Sequence, residues 1–304
     1  MKLTTSIQHI TNIDSNAFVC STKSDKVIYD KYQQKEPFSL LIMADCLHNE
    51  LVLEFTGKIL QDKYPQLLNR DTIAEAINNI NRLRVCTLNT EAILSDAKVV
   101  KCDVTTDVTH DINSIIPTIR QNLTNYTKWN VKRYANGIVL ENTVSTPRYK
   151  KRLVIYDKEK EMQMTDNVNF VNRLSDSKAV RDYFRGKVRF ELNINTKQQI
   201  RQLLNIPNNN LQSVLNSTAN PLLAVIDEAV RYEPQRPKAK TLRDYERELL
   251  LRSCDFDLVK VEAVIRSLFS KNTPIKRAMQ PYRELVKRIQ TDTTPQTDLR
   301  ALVS

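Results

Sequence analysis

The sequence predicts an α+β fold, in which an antiparallel sheet with helices on one side is followed by a C-terminal helical region. Short segments of alternating apolar and polar residues, typical of half-buried strands, recur between positions 38 and 194. From position 196 onward, apolar residues recur at helical spacing instead. This change of period predicts a sheet domain followed by helices.

The predicted sheet contains about five strands, named here in chain order. They are Phe38–Met43, Glu50–Phe55, Lys98–Thr105, a hairpin or meander over 129–156, and Lys187–Ile194. Asn136-Gly137 is the strongest turn signal of the chain and predicts the tip of the hairpin. In Lys98–Thr105, alternation predicts that Cys102 faces one side, and that Val99 and Asp103 face the other.

Helical spacing predicts the remaining elements. The predicted helices cover about 71–84, a segment beginning at Asp111, a charged stretch over 157–183, and two or three helices over 242–290. Tyr232–Lys240 has the composition of a linker. We therefore divide the chain into a polar, irregular N-terminal extension (1–37), a sheet domain (38–205) and a helical C-terminal domain (206–304).

Composition narrows the classes of function. The formal net charge of +11 over 304 residues favours a polyanionic partner. Only three glycines, far apart, exclude a Walker loop and a dinucleotide-binding fingerprint. Five dispersed cysteines predict reduced thiols. Because we find neither an apolar membrane span nor a signal peptide, we expect a cytoplasmic protein that binds nucleic acid and no membrane.

Three strands each carry one chemically interesting group on the predicted polar side, namely Asp103, Tyr156 and Glu191. A phenol can attack a phosphodiester if a divalent cation neutralises the developing charge. Carboxylates suit Mg²⁺ or Mn²⁺, so Asp103 and Glu191 are the candidate metal ligands and Tyr156 the candidate nucleophile. Surrounding cations are candidate DNA phosphate contacts, and they are Arg148, Lys150, Lys151, Arg152, Lys158 and Arg189.

Alternatives remain open at this stage. Tyr149 and Tyr183 are rival nucleophiles. His48 with Glu50, and Asp107 with His110, could contribute to a metal shell, although a loop position for His48 and helix-capping or surface roles for Asp107 and His110 are the favoured interpretation.

The order of three motifs resembles the replication initiators of filamentous phages and small rolling-circle plasmids. The motifs are KCDVT at 101–105, KRLVIYDKEKE at 151–161 and KVRFEL at 187–192. Those families carry a strand of the type R-x-D-x-T, a strand ending in Y-D-K-x-x-E and a strand R-F-E-L, in this order. The resemblance covers about 38–205. The chain departs from it in lacking the histidine pair of HUH enzymes and in having Lys101 where arginine is commoner.

The resemblance implies a ferredoxin-like, HUH-type palm and a nicking endonuclease that starts rolling-circle replication. It implies cleavage of one strand at an origin, with a single-stranded or hairpin nick site and flanking duplex, through a covalent 5′-phosphotyrosine. By position, Tyr156 matches the nucleophile, Asp103 and Glu191 match the metal ligands, and Lys160 completes the Y-x-x-x-K pattern of nicking enzymes. The C-terminal helices would then grip duplex DNA or a host helicase or polymerase. The alternatives are a non-catalytic DNA-binding repressor and an RNA-binding or RNA-processing protein.

Overall fold

The computed structural model describes residues 1–23, 26–122, 129–142, 150–230, 241–254, 256–268, 274–291 and 297–304. The chain forms two compact units, one of Met1–Val230 with Asp298–Ser304 and one of Arg231–Thr297. The predicted linker Tyr232–Lys240, together with Arg148 and Tyr149, lies outside the described residues.

The first unit is built on a large antiparallel sheet, which agrees with the predicted α+β class. The bounds of its ten strands are β1 Lys2–Ser6, β3 Val19–Lys23, β4 Lys26–Gln34, β5 Leu40–Asp45, β6 Glu50–Phe55, β8 Lys98–Thr109, β9 Trp129–Tyr134, β10 Gly137–Asn142, β11 Arg152–Asp157 and β12 Lys187–Ile194. Their spatial order is β3, β4, β5, β6, β1, β8, β12, β11, β10 and β9. The short strands β2 (Ile10–Thr11) and β7 (Thr87–Leu88) pair separately.

The N-terminal segment differs from the prediction. Residues 1–37 were expected to be irregular, yet they form β1, β3 and β4, and β1 lies between β6 and β8 in the sheet. Leu3 is fully buried there. The polar composition of β4 concealed its strand character, because its side chains are only partly buried and its stability comes from pairing with β3 and β5.

One face of the sheet carries the main apolar core. On β12, the burial of Val188, Phe190, Leu192 and Ile194 follows the predicted alternation. Helices whose buried residues belong to this core are α1 Ile73–Asn81, α2 Thr90–Asp96, α3 Ile112–Asn122, α7 Lys197–Leu203, α8 Leu211–Leu215, α9 Pro221–Ala229 and α13 Leu299–Val303. The helices α8, α9 and α13 therefore belong to the sheet unit, whereas the predicted boundary at 205/206 separates them from it.

A bulge interrupts β8 just before Asp103. Leu3 of β1 pairs with Val99, whereas Lys2 pairs with Lys101, so one residue is extra on β8. As a result, Val99 and Cys102 both point into the core, and the prediction that they face opposite sides was wrong.

The opposite face is called here the polar face. It is formed by alternate residues of four strands: Asp103, Thr105 and Asp107 of β8, Arg189, Glu191 and Asn193 of β12, Arg152, Val154 and Tyr156 of β11, and Gly137, Val139 and Glu141 of β10. A second apolar cluster covers one end of it, formed by Tyr64, Met162, Phe170, Val171, Val180 and Phe184. Helices therefore lie on both sides of the sheet, not on one side as predicted.

The second cluster comes from a 3-10 helix and three short helices. These are Gly57–Gln66 for the 3-10 helix, then α4 Lys158–Met162, α5 Thr165–Val171 and α6 Ser177–Phe184. The Asp157 carboxylate caps α4 by accepting from the backbone N–H of Lys160 at 2.9 Å. This cap ends β11 and starts α4 directly after Tyr156.

The second unit contains three helices in its described part, within the two or three that the periodicity predicted. They are α10 Leu242–Ser253, α11 Leu258–Leu268 and α12 Ile275–Thr291. Their shared core includes Leu251, Val261, Ile265, Met279 and Leu285. Within the described residues of both units, no helix is long and apolar enough to cross a membrane.

Candidate active site

Tyr156 lies near the C-terminal end of β11 and faces the polar face together with both candidate carboxylates. Its hydroxyl donates a hydrogen bond to Glu191 Oε2 at 3.3 Å. Burial raises the pKa of Tyr156 well above its usual range, and the negative charge of Glu191 raises it further. The phenol is therefore neutral at physiological pH and needs a base to become a nucleophile.

Asn193 connects the two carboxylates. Its Nδ2 donates to Asp103 Oδ1 at 2.7 Å and to Glu191 Oε1 at 3.3 Å. Its Oδ1 accepts from Arg152 Nη1 at 2.8 Å, which fixes the orientation of the amide. A single amide nitrogen thus separates Asp103 from Glu191, although the two residues are far apart in sequence.

Cations surround the outer edge of this cluster. Glu141 of β10 lies 2.7 Å from Lys150 Nζ and 3.4 Å from both Arg152 Nε and Lys132 Nζ. The hydrogen bond from Lys150, followed by that from Lys132, lowers the pKa of Glu141 below its usual range despite partial burial. Lys151 points elsewhere, because it pairs with Glu228 of α9. Of this basic segment, Lys150 and Arg152 are therefore the cations beside the candidate carboxylates.

Two of the predicted DNA contacts are buried. Arg189 is 4% exposed and donates to both oxygens of Asp107, from Nε at 2.6 Å and from Nη2 at 2.7 Å. Lys158 is 1% exposed and donates to Tyr64 Oη at 2.9 Å, and it also pairs with Glu161. The prediction that these two cations contact DNA phosphates was wrong, because the second apolar cluster covers them.

Arg189 keeps its charge in this setting. Burial is the largest single influence and lowers its pKa, but the hydrogen bonds to Asp107 and the electrostatic effects of Tyr64 and Asp107 together outweigh burial and raise the pKa above its usual value. The third guanidinium nitrogen, Nη1, donates to Tyr64 Oη at 3.1 Å. Tyr64 thus accepts from two buried cations, and the four residues Arg189, Asp107, Tyr64 and Lys158 form one closed cluster.

Lys160, the predicted catalytic lysine, pairs with Asp157 at 3.2 Å. The ammonium that lies near the candidate nucleophile is instead that of Lys158, whose Nζ is 5.8 Å from the centre of the Tyr156 ring. Tyr183, a rival nucleophile, packs edge-on against Phe184, and Lys187 Nζ lies 4.9 Å above its ring. Burial, followed by Asp107, raises the pKa of Tyr183.

The candidate histidines lie in other settings. His48 Nδ1 donates to the carboxylate of Asp45 at 2.8 Å, and this hydrogen bond raises the pKa of the imidazole. His110 Nε2 lies 3.0 Å from the Ser114 hydroxyl. Asp107 forms an ion pair with Arg189. The structure thus brings none of these residues to the Asp103 and Glu191 carboxylates.

Sequence reasoning missed three residues of the site. Asn193 and Glu191 are two apart on β12, so the alternation of a strand could have identified Asn193. Gly137 pairs with Tyr156, and a Cβ there would lie 2.3 Å from the carbonyl oxygen of Ile155. Tyr64 comes from a distant 3-10 helix, and we find no local signal that predicts its position.

Among the residues that the structure describes, no group of three or more His, Cys, Asp or Glu side chains forms a metal-binding cluster. On the polar face, Asp107 pairs with Arg189 and Glu141 pairs with Lys150, so the carboxylates left for a cation are those of Asp103 and Glu191. This donor set fits Mg²⁺ or Mn²⁺ bound together with substrate, because Mg²⁺ usually takes one or two carboxylates and completes its shell with phosphate oxygens and water.

Comparisons with known protein families, with curated proteins and with solved structures found no match to this chain.

Proposed function

We propose that the chain is a metal-assisted DNA strand transferase that nicks one strand through a covalent 5′-phosphotyrosine at Tyr156 and so initiates rolling-circle replication. The observation that supports it best is the hydrogen bond from the Tyr156 hydroxyl to Glu191 within a cluster that includes Asp103. A nucleophile, a base and two metal-binding carboxylates are the parts that phosphodiester transfer requires.

The two oxygens of Glu191 face different partners. Oε2 accepts from the Tyr156 hydroxyl, whereas Oε1 accepts from Asn193 and thus points toward Asp103. Glu191 can therefore accept the phenolic proton with one oxygen while the other takes part in cation binding. Because the pKa of Tyr156 is raised, this proton acceptor is needed in the attacking step.

The proposed step exchanges one phosphodiester bond for another. The Tyr156 oxygen forms a bond to phosphorus, the bond from phosphorus to the 3′ oxygen breaks, and the phenolic proton passes to Glu191. The 3′ oxygen takes up a proton and leaves as a free hydroxyl. No oxidant and no nucleotide triphosphate is consumed, which agrees with a sequence that cannot form a Walker loop.

Asp103 and Glu191 would hold the divalent cation, with Asn193 keeping the two carboxylates together. Such a cation polarises a nonbridging phosphate oxygen and neutralises charge that develops during transfer. Lys150 and Arg152, at the edge of the cluster, are suited to bind flanking phosphates. The net charge of +11 favours the approach of a polyanion.

The helical unit Arg231–Thr297 has no assigned role in this step. Its described helices carry exposed cations suited to the phosphates of flanking duplex DNA, and a host helicase or polymerase is the other partner we consider. A non-catalytic repressor and an RNA-binding or RNA-processing protein are the alternative functions. In both, the Tyr156–Glu191 contact would only stabilise the fold.

The test requires no knowledge of the origin sequence. Wild-type protein is incubated with Mn²⁺ and a pool of single-stranded DNA of random sequence, and covalent adducts are separated under denaturing conditions. Mass spectrometry of the digested adduct identifies the modified tyrosine. We expect the nucleotide on the peptide that contains Tyr156, and not on those containing Tyr149 or Tyr183.

Two variants serve as controls. Tyr156→Phe should abolish the adduct while leaving DNA binding within a few-fold, because it removes one oxygen. Glu191→Gln should lower the rate of adduct formation by about 10²-fold or more, and it should also lower the pKa of Tyr156 in a spectroscopic titration. An adduct that persists in Tyr156→Phe contradicts the assignment of the nucleophile. Wild-type protein that binds DNA yet forms no adduct under these conditions favours the repressor.

A further inference from the structure

An open cleft lies between α3 and the edge strand β9, and its volume is about 390 Å³. Among the described residues, its lining consists of Asn113, Ile116, Pro117, Arg120 and Arg133. Arg133 pairs across the ladder with Ile138, which belongs to the main core. The cleft is therefore on the opposite side of the sheet from Tyr156.

Two arginines from different elements converge on this cleft. Both Arg120 and Arg133 are exposed, and neither forms an ion pair with an acidic group in the described parts of the chain. Most cations on the polar face differ in this respect, since Lys132, Lys150 and Arg152 are held by Glu141. Two guanidinium groups with no counter-charge attract an anion that can accept from both, and a phosphate has the matching geometry.

The remaining wall of the cleft suits a nucleobase. Ile116 and Pro117 provide an apolar surface against which a planar ring can pack. Pro117 lies inside α3 and has no N–H, so it cannot make the helical hydrogen bond to the carbonyl of Asn113. That carbonyl oxygen is left without its helical donor, so it can accept a hydrogen bond from a ring N–H of a base, such as N3–H of thymine.

The position of the cleft relates it to the candidate active site. Arg133 is followed by Tyr134, which is 54% exposed and, through Gly137, is in register with Tyr156. Adjacent strands are about 4.8 Å apart, so Tyr134 lies roughly 10 Å from Tyr156. Within the described sheet, β9 has β10 as its neighbour on one side, and its other side is an edge. A single strand that passes over this edge can reach both places.

We propose that the cleft binds one nucleotide of single-stranded DNA, with its phosphate on Arg120 and Arg133 and its base against Ile116 and Pro117. This inference deepens the proposed function, on which it rests, by adding a second DNA contact a few nucleotides from the nick. The contact holds the strand on the far side of β9 while the scissile phosphate lies at Tyr156.

The experiment measures binding separately from cleavage. The full-length Tyr156→Phe protein is titrated against a fluorescein-labelled oligothymidylate of about 15 nucleotides, a length within the range of single-strand binding sites. Fluorescence anisotropy gives the dissociation constant at several salt concentrations. Arg120→Ala and Arg133→Ala are then introduced singly. Arg201→Ala, which removes an exposed arginine of α7 outside the cleft, is the matched control.

We expect each cleft variant to weaken binding roughly tenfold, because each removes a charge-assisted hydrogen bond to phosphate. The slope of log K against log salt should fall by about 0.7 for each phosphate that the variant no longer neutralises. Arg201→Ala should bind within about twofold of the parent with an unchanged slope. Equal weakening in all three variants, or unchanged binding in the two cleft variants, overturns the inference.

The contact between the cleft and a base is tested separately, by removing single bases from the oligonucleotide. An abasic residue is placed at successive positions of the oligonucleotide, and the parent should show one position at which base removal weakens binding. That sensitivity should disappear in Arg133→Ala, because the base is no longer held in the cleft. If the parent shows equal sensitivity at every position, the cleft binds no base.

The outcome is independent of the nicking test. Cleft variants that bind like the parent, in a chain that still forms the Tyr156 adduct, overturn the cleft alone. Weakened binding in the cleft variants, in a chain that forms no adduct, overturns the proposed reaction and leaves the DNA-binding cleft in place.

Discussion

The two ends of the polar face use the same three strands but differ in what covers them. At the closed end, Arg189, Asp107, Tyr64 and Lys158 form a buried network beneath the second apolar cluster. At the open end, Asp103, Glu191, Asn193 and Arg152 form a network whose outer members remain exposed. Tyr156 lies between the two, because it pairs with Arg189 in the ladder and contacts Glu191 through its hydroxyl.

This difference suggests different roles for the two ends, namely positioning of side chains at the closed end and the proposed reaction at the open end. Buried charges need complete partners, and the closed end supplies them from four different elements. A network of this kind holds the C-terminal end of β11 and the start of α4, and therefore the backbone that carries Tyr156. The open end has weaker constraints, and its carboxylates remain available for a cation and a phosphate. We infer that the closed end positions the proposed nucleophile, Tyr156, for the open end.

The largest effect is expected from breaking the closed end. Arg189→Ala leaves Asp107 buried without its cation, and removing one partner of a buried pair costs about 3–5 kcal/mol. Arg152→Ala at the open end removes contacts to Glu141 and Asn193 from a side chain that is 41% exposed, so we expect a loss of about 1 kcal/mol or less. Urea denaturation of both variants measures the free energy of unfolding.

A double variant sharpens this comparison. Replacing both partners, as Arg189→Met with Asp107→Leu, removes the buried charges together and should recover much of the stability lost in Arg189→Ala. The recovered protein should nevertheless form adducts slowly if the ion pair positions Tyr156. Full activity in the double variant would show that the closed end contributes stability alone.

The next largest effect concerns Gly137, which pairs with Tyr156 across the β10–β11 ladder. In Gly137→Ala, the new Cβ would lie 2.3 Å from the Ile155 carbonyl oxygen and 2.7 Å from Tyr156 Cβ, so β11 has to move. Such overpacking costs about 1–3 kcal/mol. A displacement of the nucleophile by about 1 Å can cost 10²-fold in rate. Adduct formation should therefore fall by more than the loss of stability accounts for.

Gly57→Ala is the control for this variant. A Cβ at Gly57 meets Tyr64 at 3.5 Å, which is an ordinary contact, so both the stability and the rate should change little. The idea that Gly137 sets the position of Tyr156 fails if Gly137→Ala reduces stability and leaves the rate of adduct formation unchanged.

Local patterns in the sequence were sufficient for much of the sheet. The alternation of Lys187–Ile194 and the turn at Asn136-Gly137 correctly predicted β12 and the β9–β10 hairpin. The same alternation places Tyr156 and Glu191 on one face. Tyr156 pairs with Arg189 on the neighbouring strand, and Glu191 is two residues from Arg189, so the three side chains share a side of the sheet. These features depend on residues that are close in sequence or directly paired.

Burial of single cations could not be predicted in this way. Arg189 and Lys158 occur in strongly charged segments, and only the distant Tyr64 and Phe184 explain why they are covered. The bulge in β8 depends on how β1 pairs with it, and β1 comes from a segment that was predicted to be irregular. Each error thus arose where a partner far away in the sequence decides the environment of a residue.

The smallest effect compares the two faces of β8, where Asp103 lies on the open polar face and its neighbour Cys102 in the core. Burial raises the pKa of the Cys102 thiol from 9.0 to about 12. The unfolded chain therefore loses this proton first, so the thiol stabilises the fold fully below pH 9 and this contribution is lost as the pH rises from 9 toward 12. Between pH 8 and pH 10 the loss should be about 1 kcal/mol.

Cys102→Ala removes that contribution to the pH dependence, whatever it does to packing. We expect the free energy of unfolding of the variant to fall less steeply above pH 9 than that of the wild type, as measured by urea denaturation at a series of pH values. Cys86→Ala gives a graded comparison, because burial raises the pKa of Cys86 only to about 11 and its contribution is lost over a narrower range. Parallel pH profiles for the wild type and Cys102→Ala would contradict the burial of this thiol on the core side of β8, opposite Asp103.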